Sequence, residues 1–183
     1  MNIQPASTGK LDGATLDYRI TQISVVVRDL RKTMEQYHAI LGWGPWNVFE
    51  HVPPTHHDTR VNGEPVHYTL LGAETYVGGE ETGMNFELLQ PLEGPSVWRK
   101  FLDEKGEGIY SIAVMFKTRE ESEAAKKHFE EHGMPVTTAA RIGDHIEYYY
   151  VDSQPVLKLA LESGSGHAID FVKPLYVYPE PIG

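Results

Sequence analysis

Two glutamates sit in otherwise apolar runs, Glu87 in "NFELLQ" and Glu162 in "KLALES". A carboxylate placed there either faces water or needs a partner, because burying it alone carries a large desolvation cost. Two such groups turned to one cavity would repel unless a proton or a cation stood between them. Proton transfer or cation binding is therefore the chemistry this pair offers; two solvent-facing glutamates at strand ends is the plain alternative. His67, in "PVHYTLLG", is suited either to general-base work near neutral pH or to a structural role. Gln22 and Ser111 open two matching runs, "QISVVV" and "SIAVMF", one offering an amide and the other a hydroxyl. With Tyr110 they would supply neutral donors to a developing oxyanion. His56, His57 and Asp58 have the composition of a metal cluster, but adjacent side chains after a Pro-Pro pair diverge, and a solvated loop is expected.

These groups need elements to position them. Residues 19–27 are β-branched and read as a strand. Asp29 can cap a helix whose Leu30, Met34, Tyr37 and Leu41 share one face and which Gly42 ends. Strands are expected at 45–51, 65–72 and 83–90. The order then recurs: a strand at 110–116, a capping box Thr118-x-x-Glu121 opening a helix to His132, Gly133 at its end, and strands at 135–142, 145–151 and 155–162. The pattern is βαβββ, twice, with a short helix at 95–105 between the halves. Alternation along a strand puts Gln22 with Ser24, Asn85 with Glu87, Ala160 with Glu162, and His67 with Thr69. Residues 51–64 and 163–183 read as a long loop and a tail, either solvated connections or pocket walls. Residues 1–17 read as a loose leader.

The chain has 183 residues, no cysteine and a formal net charge of −10. An acidic balance argues against nucleic acid or an anionic membrane surface as partner. Disulfides and thiolate chemistry are excluded, and no apolar run is long enough to span a bilayer. With no targeting signal in the sequence, the cytoplasm is the expected location.

With the double βαβββ pattern, and with "FELLQPLEGPS" leading through a linker helix to "GEGIYSIAV", the sequence resembles the vicinal oxygen chelate superfamily of glyoxalases, epimerases, extradiol dioxygenases and bleomycin-resistance proteins. It is most similar to the methylmalonyl-CoA epimerase-like branch. The resemblance implies an α+β fold in which modules 18–94 and 106–162, joined by helix 95–105, form one cupped, mixed eight-stranded sheet in a single domain, 18–162, that pairs as a homodimer. It places metal ligands at Gln22, Glu87 and Glu162, with Ser111 at a position where relatives carry histidine, and a proton-transfer group near His67. The remaining oxygen donors would suit a hard divalent cation, or the site would have no cofactor. The implied function is an isomerase, epimerase or lyase that abstracts a proton beside the carbonyl of a small molecule. Its catalytic groups would be His67, Glu87, Glu162, Tyr110 and Ser111. The alternative is a metal-free small-molecule binding protein resembling the bleomycin-resistance members.

Overall fold

The computed structural model describes residues 16–78 and 83–180; the expected leader lies, apart from residues 16 and 17, outside them. β1 (Gln22–Val26) leads into α1 (Leu30–Leu41), whose N-cap Asp29 accepts a hydrogen bond from the Lys32 amide. Gly42 ends that helix in the left-handed conformation, φ 68°, which glycine adopts without a Cβ penalty. Next come β2 (Trp46–His51), β3 (His56–Val61), β4 (Glu64–Pro65), β5 (Leu70–Val77) and β6 (Met84–Pro91). After α2 (Val97–Lys105) and β7 (Gly108–Phe116), α3 (Arg119–Glu131) opens with the complete Thr118/Glu121 capping box. The chain closes with β8 (Val136–Ile142), β9 (Ile146–Val151), α4 (Gln154–Leu157), β10 (Ala160–Ser165), α5 (Ala168–Phe171) and β11 (Tyr176–Tyr178).

All strands join one mixed sheet in the order β11-β2-β5-β6-β1-β7-β10-β9-β8-β3-β4. Its centre is the antiparallel pair β1–β7, where Gln22 lies opposite Ala113, Ile23 opposite Ile112 and Ser24 opposite Ser111. A twofold through the Ile23–Ile112 pair exchanges Gln22 with Ser111 and Ser24 with Ala113. The same operation carries the Ser24–Glu87 register pair onto Ala113–Glu162, and Glu87–Glu74 onto Glu162–Tyr150. The fold is thus α+β with two βαβββ halves, four strands each side of the seam. Three further strands take the sheet beyond the eight expected. The β3–β4 hairpin, inserted in the first half, pairs with β8 of the second. β11, from the C-terminal segment, pairs with β2 of the first. Each half therefore covers the other's edge strand, and edges so covered do not template aggregation.

α1 and α3 bury their apolar stripes on the outer face of the curled sheet. Leu30 and Met34 of α1 pack with Trp46, Val48 and Leu88, and Ala125 and Phe129 of α3 with Val114, Tyr149 and Leu161. The inner face is aromatic: Phe49, Tyr68, Tyr148 and Tyr150 meet Trp98 and Leu102 of α2. Among the described residues no helix is long and apolar enough to cross a membrane.

Three expected elements differ. The strand expected at 65–72 is β5, from Leu70 to Val77, because Val66–Thr69 bond instead to Thr59 and Glu93 across a neighbouring turn. The strand expected at 155–162 begins at Ala160. Pro155 instead starts a helical turn, and its carbonyl accepts a hydrogen bond from the Lys158 ammonium. Residues 56–61 are a strand, not a solvated loop, and His56 is buried against Tyr148. Its burial follows from its place on the inner side of β3, where its ring caps the aromatic lining.

Gly164 has a φ of 152°, and any side chain there would collide with the Glu147 carbonyl on β9. Gly164→Ala should therefore cost at least about 2 kcal/mol of folding stability, read as a lowered urea midpoint. An unchanged midpoint would mean that β9 and β10 are not in such close contact.

Candidate active site

The curled sheet encloses one cavity between its two halves. Gln22 of β1, Glu74 of β5, Glu87 of β6 and Glu162 of β10 reach it from the sheet. His51 of β2, Tyr148 and Tyr150 of β9, and His167 just before α5 complete its polar wall. Leu70, Leu89, Trp98, Met115, Ile142 and Ile146 form the apolar wall. Its volume is ≈ 40 Å³, room for a few waters. Among the described residues no lysine or arginine lines it.

Three carboxylates are buried here, Glu74 at 2% exposure, Glu87 at 8% and Glu162 at 6%. Burial pushes each upward from the ordinary carboxylate range. Glu162 rises to about 7, burial outweighing the Tyr150 hydroxyl that donates to its Oε2 at 2.5 Å. Glu87 is raised well above its usual value, by burial first and then by the charges of Glu162 and Glu74; the Ser24 hydroxyl, 2.7 Å from its Oε2, offsets a part. Glu74 also rises to about 7 through burial, against the Asn85 amide that donates to it at 2.8 Å. The twofold makes the contrast informative. Beside Glu162 stands a phenol that donates, whereas the matching place beside Glu87 holds a third carboxylate that repels.

His51 reaches the cavity because β5 carries glycine diagonally across from it, Gly72 being paired with Phe49 and His51 with Leu70. A Cβ at Gly72 would stand 2.8 Å from His51 Nε2 and 3.8 Å from Glu87 Oε1, so any larger residue would displace the ring. Burial pushes His51 down to about 3 and His167 down to about 4, so both are neutral at pH 7. His56 is held at Nε2, 2.9 Å from the Tyr148 hydroxyl, which is itself 3.2 Å from that of Tyr68.

Of the expected site residues, Gln22, Glu87 and Glu162 meet at the cavity. Ser111 is buried next to Glu162, close enough to steady that carboxylate without a complete hydrogen bond; its hydroxyl has no partner among the described residues. Tyr110 stands behind Tyr150, with ring centroids 5.6 Å apart, and lines an outer groove rather than the cavity. A bulge between Ser111 and Ile109 in the β1–β7 register is what swings it outward. His67 is exposed and precedes β5, so the cup-facing position expected for it is not where the structure puts it. Leu70, Gly72 and Glu74 occupy the inward face of that strand instead. Sequence reasoning missed Glu74, His51 and His167. Glu74 carried the same signal as Glu87, a carboxylate in an apolar run, "LLGAETYV", but it lay beyond the strand as expected.

A metal of the zinc type does not fit these donors. Ser111 offers a hydroxyl where imidazole would be needed, and among the described residues no three His, Cys, Asp or Glu converge as a metal requires. A hard cation would find three oxygens, those of Gln22, Glu87 and Glu162, about half of a six-coordinate shell, and would take the rest from waters.

A two-module β-cup around a buried acid–base cluster is the class that fold and site define. The model of the Glyoxalase/Bleomycin resistance protein/Dioxygenase superfamily matches residues 21–175, and the chain belongs to that superfamily. Among solved structures it is similar to the methylmalonyl-CoA epimerase of Mycobacterium tuberculosis, with 22% identity, a TM-score of 0.54, and coverage of 82% of this chain and 90% of that one. The Streptomyces coelicolor methylmalonyl-CoA epimerase in complex with 2-nitronate-propionyl-CoA is similar at 24% identity and TM-score 0.56, over 82% and 96% of the chains. A hypothetical protein of Bacillus halodurans has 19% identity and a TM-score of 0.56, over 81% and 94%. These likenesses are of fold. A comparison with curated proteins gives no match.

The titration of Glu162 sets a measurable stability trend. Its folded pKa, about 7, lies above its unfolded value of 4.5, so between these the native state binds more protons. The stability it contributes is full below pH 4.5 and is lost as pH rises through 7. The depressed histidines give an opposite slope below pH 6.5, but they are common to wild type and variant. From pH 5 to 8, wild type should lose on the order of 1–3 kcal/mol relative to Glu162→Gln, read from urea unfolding at both pH values. Equal slopes would mean that Glu162 ionises as in water.

Proposed function

We propose that this protein is an isomerase or epimerase that moves a proton at the carbon beside a carbonyl in a small molecule. One observation carries the reading: Glu87 and Glu162, related by the twofold, face the same cavity in unequal surroundings. Two buried carboxyls that face one cavity disfavour each other's ionisation, so near neutral pH one holds a proton and the other does not. Glu162, steadied by the Tyr150 hydroxyl, is the base. Glu87, repelled by Glu74 and Glu162, is the acid. Glu162 would take the proton from the carbon beside the carbonyl, leaving a planar enolate, and Glu87 would give its proton to the opposite face of that carbon. His51, neutral and held beside Glu87 by the absence of a Gly72 side chain, has one N–H to give to the enolate oxygen. No metal is needed for this sequence of events, and none is invoked.

One of the similar structures is of a methylmalonyl-CoA epimerase in complex with 2-nitronate-propionyl-CoA. A cavity with no lysine or arginine among its described lining residues gives no support to an anionic reacting end here. The proposed substrate is accordingly a small neutral carbonyl compound.

The test uses ketones with a stereocentre beside the carbonyl, 3-hydroxybutan-2-one and 3-methylpentan-2-one, in deuterated water. Wild type should exchange the proton on that centre and racemise it. Glu162→Gln should slow exchange on the order of 100-fold, and Glu87→Gln should slow racemisation on the same scale. Binding without exchange would instead favour the metal-free binding protein.

A further inference from the structure

Gln22 is 2% exposed, lines the cavity, and leaves its Oε1 without a partner among the described residues. An unpaired buried acceptor is costly, and a bound ligand or an ordered water is what completes it. What aims that oxygen is a chain of contacts that starts at the C-terminal segment. The Ile169 backbone N–H lies 3.2 Å from Glu74 Oε2, and a backbone N–H can only donate. Glu74 Oε2 is thereby held as an acceptor whichever way the carboxyl titrates. The same oxygen accepts from Asn85 Nδ2 at 2.8 Å, so the NH₂ end of Asn85 must face Glu74. Its Oδ1 then faces β1 and accepts from Gln22 Nε2 at 3.0 Å. With its NH₂ so used, Gln22 can present only its carbonyl oxygen to the cavity. Two amides, each able to flip in isolation, are fixed in sequence by one backbone donor.

We propose that Glu74 is a positioning residue which, through Asn85, turns the Gln22 carbonyl into the cavity, and that the site is thereby built for a ligand bearing a hydroxyl or amino donor beside its carbonyl group. This deepens the proton-transfer reading and rests on it for the carbonyl. The acceptors around the cavity are the Gln22 oxygen and the carboxyl oxygens of Glu87 and Glu162, whose Oε2 atoms already accept from Ser24 and Tyr150; no lysine or arginine is among the lining residues described, and His51 and His167 are neutral. Such a wall rejects a carboxylate or phosphate at the reacting end and leaves an apolar substituent facing an unpaired oxygen. A hydroxyl in that place satisfies Gln22 and leaves the adjacent C–H to the glutamates. Sites built around a ligand hydroxyl discriminate strongly against the analogue that lacks it, because their own polar group is then stranded.

The test is an isosteric pair, 3-hydroxybutan-2-one and 3-methylbutan-2-one, with binding to the full chain measured by ligand-detected NMR titration. Wild type should bind the hydroxy compound at least about tenfold more tightly, against the greater hydrophobicity of the methyl analogue. Glu74→Gln keeps an oxygen facing Ile169 and Asn85 and should keep that preference. Glu74→Met removes the acceptor with similar bulk and the same loss of charge, and should reduce the preference to within about threefold. Thermal unfolding of both variants separates a structural effect, which would lower their stability without altering the ratio. Equal binding of the two ketones by wild type, or no binding of either, would overturn the ligand class. An unchanged ratio in Glu74→Met would overturn the relay. Selective binding with no proton exchange would leave this inference standing and defeat the proton-transfer reading.

Discussion

The antiparallel seam between β1 and β7 is the constraint on which the site depends. Register there is set to a single residue, with Ile23 opposite Ile112. A slip of one would invert β1 relative to β7, sending Gln22 and Ser24 to the outer face. Because β6 and β10 flank this seam in parallel register, the same setting brings Glu87 and Glu162 from opposite halves to one cavity. Those two residues are 75 positions apart in the chain. Neither half could offer the pair alone.

Symmetry brings the carboxylates together, and departures from symmetry give them different tasks. Tyr150 and Glu74 occupy equivalent places, yet one donates a hydrogen bond and the other adds a charge. Ser111 and Gln22 are likewise equivalent, yet the hydroxyl lies buried beside Glu162 while the amide is drawn into a chain through Asn85. A cluster of three buried acids runs against stability, since each charged form is poorly solvated. Its hydrogen bonds are correspondingly numerous: hydroxyls from Ser24 and Tyr150, an amide from Asn85, and the backbone of Ile169. Such concentrations of perturbed groups mark functional sites more often than structural ones.

The additions to the eight-stranded core serve this arrangement. The β3–β4 hairpin crosses from the first half to the rim of the second and brings His56 over the aromatic lining. The C-terminal segment crosses the other way. It places His167 and Ala168 on the cavity, ties Ile169 to Glu74, and ends as β11 on the rim of the first half. Both segments cover edges that would otherwise expose unpaired backbone groups.

Much of the fold was legible in local sequence. Asp29, Gly42, Thr118 and Glu121 declared three helix ends through side-chain and backbone preferences that need no tertiary context. The β-branched runs declared most of the strands, and their repetition revealed the two halves. Glu87 and Glu162 were legible as acids in apolar runs. What alternation could not supply was the phase of β5: His67 and Glu74 belong to opposite parities, and a strand read from 65–72 favours the wrong one. That choice was made by long-range pairing, Glu74 opposite Glu87 and Gly72 opposite Leu89, together with backbone bonds that draw residues 66–69 to other partners. His51, His167 and the orientation of Gln22 were likewise beyond the sequence. Local preferences act over a few residues, whereas the burial, charge and hydrogen-bond partners that give these groups their properties come from strands and segments tens of residues away.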